Sequence, residues 1–191
     1  KHKEFSLSTE EKKTLVNIAR ETLNTCIRES EMPDIEAFEL NANLKEPCGA
    51  FVTIYKNDQL RGCIGRFKPE NPLYKVVQKM AVSAATQDPR FPIVKEEELD
   101  ELSVEISVLT PMRKVDSIDE IEMGKHGVYI KEGLSAGTFL PQVAKETGWS
   151  KEEFLGHCAR DKAGIGWEGW KTADIFVYEA IVFNERDLNT N

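Results

Sequence analysis

The sequence has 191 residues, of which 40% are hydrophobic and 30% charged, a balance typical of globular rather than disordered proteins. Its 33 acidic and 25 basic residues give a net charge of −8. This charge argues against a general DNA or RNA binder, since such proteins neutralise phosphates with lysine and arginine. No apolar run approaches the roughly 20 residues that span a bilayer, so a membrane protein is excluded too.

The first four residues are charged and contain neither the apolar stretch of a signal peptide nor an initiator methionine. We therefore expect a trimmed or excised chain, and whether a partner domain lies upstream stays an open question. The four cysteines are widely spaced and form no C-x-x-C pair. This pattern favours the reducing cytoplasm over a disulfide framework.

The first half of the chain predicts a helix, a β-hairpin and a second helix. Ser8 and Glu11 have the spacing of a capping box and open the first helix. Residues 49–55 and 60–65 predict the two strands of the hairpin. Pro72 is expected at the first position of the second helix, where its missing N–H is harmless.

The second half predicts strands with helices between them. Residues 102–109 alternate as a half-buried strand, and residues 127–130 and 138–140 are short strands. A second capping box opens a helix over residues 150–162, and residues 175–183 predict one final strand. Because hairpins outnumber β-α-β units, we predict an α+β fold with a mainly antiparallel sheet packed with helices. Without a break in composition, residues 1–191 are expected to form a single domain, and a smaller lobe in the second half stays open.

Cys63, in the predicted second strand of the hairpin, is the strongest candidate for a functional residue. If Leu60 and Ile64 point into the core, alternation places Cys63 beside Arg61 on the other face. Arg66 follows directly. Cationic neighbours favour the thiolate over the thiol, and the thiolate is the reactive form of cysteine. The alternative is that Cys63 is a small buried hydrophobic residue.

Residues 88–92 have the sequence Asp-Pro-Arg-Phe-Pro and must be non-helical, because a proline biases its predecessor to extended geometry. This turn is expected to present Asp88 and Arg90 to an anion. We predict that Arg61, Cys63 and Arg90 line one cleft, with Asp88 orienting an arginine. The alternative is that Arg90 pairs with the acidic residues that follow the turn, far from the cysteine.

Four further positions are weaker candidates for a site. Gly62 and Gly65 lack a Cβ, so a ligand could approach the backbone there, unless the glycines only mark a bulge. His126 lies in a turn and is a weak candidate for a catalytic base, or simply a solvated residue. Glu105 is an acid in an otherwise apolar strand and could simply face water. No metal-ligand spacing, P-loop or dinucleotide fingerprint occurs, so no metal site is expected and the cofactor stays open.

Five short motifs follow one another along the chain and are specific in combination. They are Leu60-Arg61-Gly62-Cys63-Ile64-Gly65, Asp88-Pro89-Arg90-Phe91-Pro92, Glu105-Ile106-Ser107-Val108-Leu109-Thr110-Pro111, Phe139-Leu140-Pro141-Gln142-Val143 and Lys162-Ala163-Gly164. Together they resemble the AMMECR domain family over roughly residues 8–185. Residues 124–127 and the loop from Trp167 to Trp170 are similar to the bacterial branch of that family.

The resemblance implies an α+β fold of two unequal lobes, with a cleft lined by the first motif. It implies an association with a Memo-type protein, itself similar to extradiol dioxygenases, and with a radical SAM protein, as protein A of a three-component system. It implies no particular reaction, and whether the chain is an enzyme stays open. One hypothesis is a small anionic ligand held by Arg61, Arg66 and Arg90, with Cys63 at the reacting centre. The other is a non-catalytic protein-interaction module, which exposed aromatic residues between Trp167 and Trp170 would favour.

Overall fold

Residues 4–188, the part of the chain that the computed structural model describes, form six α-helices and eight β-strands. The helices are α1 (Thr9–Glu29), α2 (Ala42–Lys45), α3 (Leu73–Thr86), α4 (Pro141–Thr147), α5 (Lys151–His157) and α6 (Glu185–Leu188). The strands are β1 (Ala50–Lys56), β2 (Gln59–Arg66), β3 (Leu102–Leu109), β4 (Arg113–Lys114), β5 (Gly127–Glu132), β6 (Ser135–Phe139), β7 (Asp174–Tyr178) and β8 (Ala180–Asn184).

The chain divides into two compact units, each with its own sheet and its own hydrophobic core. The first unit consists of two chain segments, one that ends at Leu109 and one that begins at Ile181. The second unit is the segment between them, Thr110–Ala180. The strand orders are β2-β1-β3-β8 in one sheet and β4-β7-β5-β6 in the other. The two antiparallel sheets packed with helices confirm the predicted α+β class. No helix among residues 4–188 combines the length and the apolar composition needed to cross a bilayer.

The first unit buries one face of its sheet beneath α1 and α3. The capping box predicted for α1 is present: the Glu11 N–H donates to the Ser8 hydroxyl, and the Ser8 N–H donates to the Glu11 carboxylate. The core contains Val52 and Ile54 of β1, both fully buried, so alternation turns the intervening Thr53 to the opposite face. That opposite face carries Cys63.

The predicted helix boundary at Pro72 was wrong, and the helix predicted over residues 150–162 changes type along its length. Pro72 precedes the first helical residue of α3 instead of occupying that position. Its ψ of 137° is extended, and its carbonyl accepts the N–H groups of Lys75 and Val76. The helix predicted over residues 150–162 ends as α5 at His157 and continues as a π-helical turn over Cys158–Lys162.

The predicted final strand is two strands that belong to different sheets. β7 pairs in the second sheet and β8 in the first, with Glu179 between them. The Glu179 N–H donates to the Thr110 hydroxyl, and the Thr110 N–H donates to the Glu179 carbonyl, both at 2.8 Å. These bonds take the backbone of Glu179 out of the β-ladder, which the uninterrupted apolar pattern did not reveal.

Candidate functional site

The candidate site is built on the β1–β2 hairpin, where a bulge changes the predicted alternation. Cys63 lies opposite Thr53 and Gly62 opposite Ile54, but Tyr55 then lies opposite Leu60. Arg61 is therefore the extra residue of a bulge. Leu60 is consequently 40% exposed instead of pointing into the core, and Arg61 does not share the face of Cys63 as predicted.

The two glycines of the first motif have a packing reason. A Cβ on Gly62 would lie 2.1 Å from the carbonyl oxygen of Ala84, so the hairpin sits against the backbone of α3. A Cβ on Gly65 would lie 2.2 Å from the ring of Phe51. The protein itself fills the space that each missing side chain leaves. Ligand binding at these two positions stays a prediction.

The turn of residues 88–92 lies against the free edge of the sheet at Cys63. A carboxylate oxygen of Asp88 accepts the Cys63 N–H at 3.0 Å, and Arg90 Nη2 donates to the Cys63 carbonyl at 3.5 Å. Both backbone groups of Cys63 point away from β1, and both have a partner. An edge strand normally leaves such groups open to other chains, so this turn also protects the edge.

Asp88 and Arg90 form a bidentate pair. Arg90 Nε and Nη2 donate to the two carboxylate oxygens of Asp88 at 3.0 and 2.8 Å. The side chain of Asp88 is 2% exposed and that of Arg90 57% exposed. The hydrogen bonds from Arg90, followed by that from the Cys63 N–H, hold the pKa of Asp88 well below its usual range. Asp88 thus orients Arg90 beside Cys63, and the surface pairing of Arg90 with the acidic run does not occur.

Arg61 turns away from Cys63 towards Glu98, in the turn before β3. Its Nε and Nη2 donate to the two carboxylate oxygens of Glu98 at 3.0 and 3.1 Å, and Lys56 Nζ lies 3.1 Å from the same carboxylate. The side chains of Arg61 and Glu98 are 10% and 16% exposed. The hydrogen bonds from Arg61 are the main reason that the pKa of Glu98 falls to about 2. A largely buried guanidinium with its own carboxylate is less available to an anion, so the ligand-binding role of Arg61 stays a prediction.

Cys63, Thr53 and Glu105 form a polar row across three neighbouring strands on the face opposite the core. Thr53 lies in register with Cys63 on one side and with Glu105 on the other. The Cys63 thiol and the Thr53 hydroxyl are 3.2 Å apart, within hydrogen-bonding distance. The Tyr55 hydroxyl donates to Glu105 at 3.4 Å. Burial raises the pKa of Tyr55, and the neighbouring charge of Glu105 raises it further, so the phenol stays protonated.

The four cysteines are free and lie in different surroundings. Cys63 and Cys26 are half-buried, whereas Cys48 and Cys158 are buried. Burial raises the pKa of both Cys48 and Cys158 to about 12, which keeps them as neutral thiols. Accessibility therefore separates Cys63 from two of the other three cysteines.

The two remaining predicted site residues lie outside these contacts. Arg66 ends β2, is half-buried and forms no ion pair within residues 4–188. His126 belongs to the second unit, and its Nδ1 accepts the N–H of Glu122 at 2.9 Å. Burial lowers the pKa of His126, which favours the neutral ring. Its role as a base for Cys63 stays a prediction.

The second unit contains an aromatic cluster that could have served as an interaction surface. The ring of His157 stacks on Trp149 at 3.8 Å and meets Trp167 edge-on at 4.8 Å. Its Nδ1 lies 3.0 Å from a carboxylate oxygen of Asp161. Trp167 and Trp170 are both half-buried. The exposed aromatic residues that would favour an interaction module are therefore not present in this loop.

The described residues also contain two surface cavities that no residue of the five motifs lines. One, of about 470 Å³, lies between residues 32–36 and the exposed side of α3, and the other, of about 150 Å³, borders Trp170. Within residues 4–188, no three His, Cys, Asp or Glu side chains gather where they could hold a metal ion. The polar row and the Asp88–Arg90 pair thus stay the best-supported candidate site.

Sequence reasoning missed three residues that contact the site. Thr53 and Tyr55 looked like ordinary strand residues, and Glu98 looked like part of a solvated acidic run. Alternation from Cys63 across the hairpin would have found Thr53, once the turn fixed the register. No local signal could have found Glu98, because its partner Arg61 lies 37 residues away and is displaced by a bulge.

The comparisons with known proteins agree with this fold. Protein Mbar_A1807 of Methanosarcina barkeri is 39% identical over 189 residues, which cover 95% of this chain and 93% of that protein. Protein MK0488 of Methanopyrus kandleri is 39% identical over 192 residues, covering 95% and 91%. The crystal structure of an uncharacterised protein of Pyrococcus horikoshii, PH0010, is similar with a TM-score of 0.71 and 34% identity over 90% of each chain. A family model described as AMMECR1 matches residues 16–183. The chain belongs to the AMMECR1 family.

Proposed function

We propose that this protein binds a small ligand on the sheet face of its first unit and that the thiol of Cys63 is the reacting group. The observation that carries this proposal is the double anchoring of Cys63. Its N–H and its carbonyl are both held by the Asp88–Arg90 pair, while its side chain stays half-buried. Such anchoring fixes a thiol in position without covering it, as a reacting group requires.

The anionic part of the ligand is assigned to Arg90, with Arg66 as a second contact that only its long side chain could supply, because its register opposite the buried Ala50 starts that side chain on the core side of β2. Arg90 uses Nε and Nη2 on Asp88, which leaves the N–H groups of its other terminal nitrogen for a ligand. Arg66 has no ion-pair partner within residues 4–188. Arg61 is the least suited of the three predicted arginines, because Glu98 already neutralises it.

The wider setting belongs to this proposal too. We propose one functional domain over the whole chain, with a cleft lined by the first motif and with Memo-type and radical SAM proteins in the same pathway. The free cysteines support a reducing cytoplasm. The similarity of residues 124–127 to the bacterial branch stays a prediction, since the relatives named above are archaeal.

Differential alkylation of the native protein tests the reacting thiol. Iodoacetamide and iodoacetate differ in charge, and peptide mass spectrometry reads each cysteine separately. We expect Cys63 to be labelled while Cys48 and Cys158 stay unlabelled until the protein unfolds, because their pKa values of about 12 leave little thiolate. Arg66→Gln should slow the anionic reagent more than the neutral one. A Cys63 that stays unlabelled while Cys48 or Cys158 reacts contradicts the proposal.

A non-catalytic interaction module is the second candidate. It is supported by two exposed apolar side chains next to the site, Leu60 at 40% and Ile93 at 61%. Complementation of a deletion strain separates the two functions. Loss of activity with Cys63→Ser supports chemistry, whereas loss with Leu60→Asp or Ile93→Asp and not with Cys63→Ser supports docking.

A further inference from the structure

Glu105 is the uncompensated charge on the face that carries Cys63. Glu105 is half-buried near the middle of β3, and its carboxylate accepts a hydrogen bond from the neutral hydroxyl of Tyr55 at 3.4 Å. No cation pairs with it within residues 4–188. A partly desolvated carboxylate with one long hydrogen bond costs folding free energy unless a further group pairs with it.

Three of the other cations near the site are already paired with carboxylates. Arg90 is bound to Asp88, and Arg61 and Lys56 are bound to Glu98. None of these three cations reaches Glu105. Arg66, the unpaired cation near the site, lies opposite the buried Ala50 on the core side of β2, so within residues 4–188 no cation is paired with Glu105.

The distance between Glu105 and Cys63 suits one small molecule. They are separated by the single strand β1, so their Cα atoms are about 10 Å apart, two strand spacings. Thr53 lies between them with a short side chain and is only 8% exposed, so it forms the floor between the two groups. At the far side of β3, Val182 of β8 is exposed, while its neighbour Phe183 is buried in the core. Solvent therefore reaches this face of the sheet at β8.

We infer that the ligand of the Cys63 face carries a primary ammonium or guanidinium group that pairs with Glu105. This inference rests on the proposed function and adds the chemical class of the ligand to it. With an anionic group at Arg90 and Arg66, the ligand is a zwitterion that crosses β1 with its middle part above Thr53. Tyr55 holds the carboxylate of Glu105 in place by its hydrogen bond.

Disulfide exchange at Cys63 with probes of different charge tests the inference. The native protein is equilibrated with cystamine, which is cationic, and bis(2-hydroxyethyl) disulfide, which is neutral, together with their two thiols. The Cys63 thiolate attacks one sulfur of a probe, a mixed disulfide forms, and the other half leaves as a thiolate. One S–S bond forms and one S–S bond breaks, so the exchange needs no outside oxidant. Peptide mass spectrometry then gives the ratio of the two adducts at Cys63, and the ratio at Cys26 serves as the internal reference.

We expect a cationic excess of about two- to fivefold at Cys63 over Cys26, the range of a partly exposed ion pair. Glu105→Gln should abolish the excess, and the matched control Glu101→Gln should keep it, since Glu101 pairs with Lys56 away from the row. A salt titration of the native sequence gives a second readout that needs no variant. If an ion pair causes the cationic excess, screening at 1 M salt should reduce that excess.

The possible results separate the two claims. Equal capture of both probes at Cys63, or an excess that survives Glu105→Gln, overturns the inference and leaves the reacting thiol in place. Failure of both probes to modify Cys63 while Cys26 is modified overturns the proposed function itself.

Discussion

The side chains at the site are set by close packing as much as by chemistry. Gly62 and Gly65 stand on either side of Cys63 in sequence order, and each faces a different obstacle. The obstacle at Gly62 is a backbone carbonyl of α3, and the obstacle at Gly65 is the ring of Phe51. A backbone group in a helix cannot move aside, whereas a side chain can be shortened.

Glycine-to-alanine variants should therefore differ in whether they can be rescued. We expect Gly62→Ala and Gly65→Ala each to destabilise the protein by about 1–3 kcal/mol, the usual cost of overpacking. Adding Phe51→Leu should restore much of the stability of Gly65→Ala and none of that of Gly62→Ala. Urea denaturation measures all four free energies of unfolding, and equal rescue of both variants would show that the obstacles are wrongly assigned.

At the scale of secondary structure, the turn of residues 88–92 closes the edge of β2. Asp88 accepts the Cys63 N–H, and Arg90, held by Asp88, donates to the Cys63 carbonyl. The motif around Cys63 and the Asp-Pro-Arg-Phe-Pro motif thus form one structural unit, although 25 residues separate Cys63 from Asp88.

Asp88→Asn should loosen this edge. The amide is a weaker acceptor than the carboxylate and cannot form the charged bidentate pair with Arg90. We expect hydrogen exchange of the Cys63 amide to speed up roughly tenfold or more, while the amides of β1 stay protected. Glu97→Gln, a change at an exposed acid in the next turn, should leave the exchange rates unchanged. Uniformly faster exchange across the sheet would indicate general destabilisation instead.

The Arg61–Glu98 pair joins the bulge of β2 to the turn before β3. Removing one member leaves the other charge largely buried and unpaired, so Glu98→Gln should cost about 3 kcal/mol of folding free energy. Glu101→Gln, at a half-exposed acid that pairs with Lys56, should cost less than about 0.5 kcal/mol. The double change Arg61→Met and Glu98→Leu should be more stable than Glu98→Gln alone. Chemical denaturation of the four proteins decides, and a neutral Glu98→Gln would show that the pair is solvated.

At the scale of the whole molecule, the net charge of −8 and the depressed carboxyl pKa values determine how stability depends on pH. Glu98 has a pKa of about 2 in the folded protein and about 4.3 in an unfolded chain. The pKa of Asp88 is depressed in the same direction. Both groups bind protons more readily in the unfolded state, so their contribution to stability is present above about pH 4.5 and is lost as the pH falls towards 2.

We therefore expect a steep loss of stability between about pH 4.5 and pH 2, and a shallower loss in Glu98→Gln. Thermal unfolding at a series of pH values, followed by circular dichroism, measures both slopes. Glu97→Gln is the control, because this exposed acid has no assigned partner in residues 4–188. If the unfolding temperatures of the native protein and Glu98→Gln fall equally steeply below pH 4.5, the role given to this carboxyl group is contradicted.

The sequence by itself determined the elements whose signals are local. The capping box opens α1 at Ser8, and the turn between residues 56 and 59 joins the hairpin strands. Such features depend on residues three or four positions apart, so the predicted α+β class and the pairing of β1 with β2 needed no long-range information. The motifs also pointed to Cys63, Asp88 and Arg90, which do lie together.

Only the tertiary structure decided what surrounds Cys63. A bulge, which local pattern does not reveal, turned Arg61 to Glu98, and the register of three strands placed Thr53 and Glu105 in line with the thiol. The apolar run of residues 175–183 likewise hid a change of sheet at Glu179, because alternation continues whichever sheet a strand joins. Register and strand partners depend on contacts between residues tens of positions apart, and one residue of slippage moves every side chain to the opposite face.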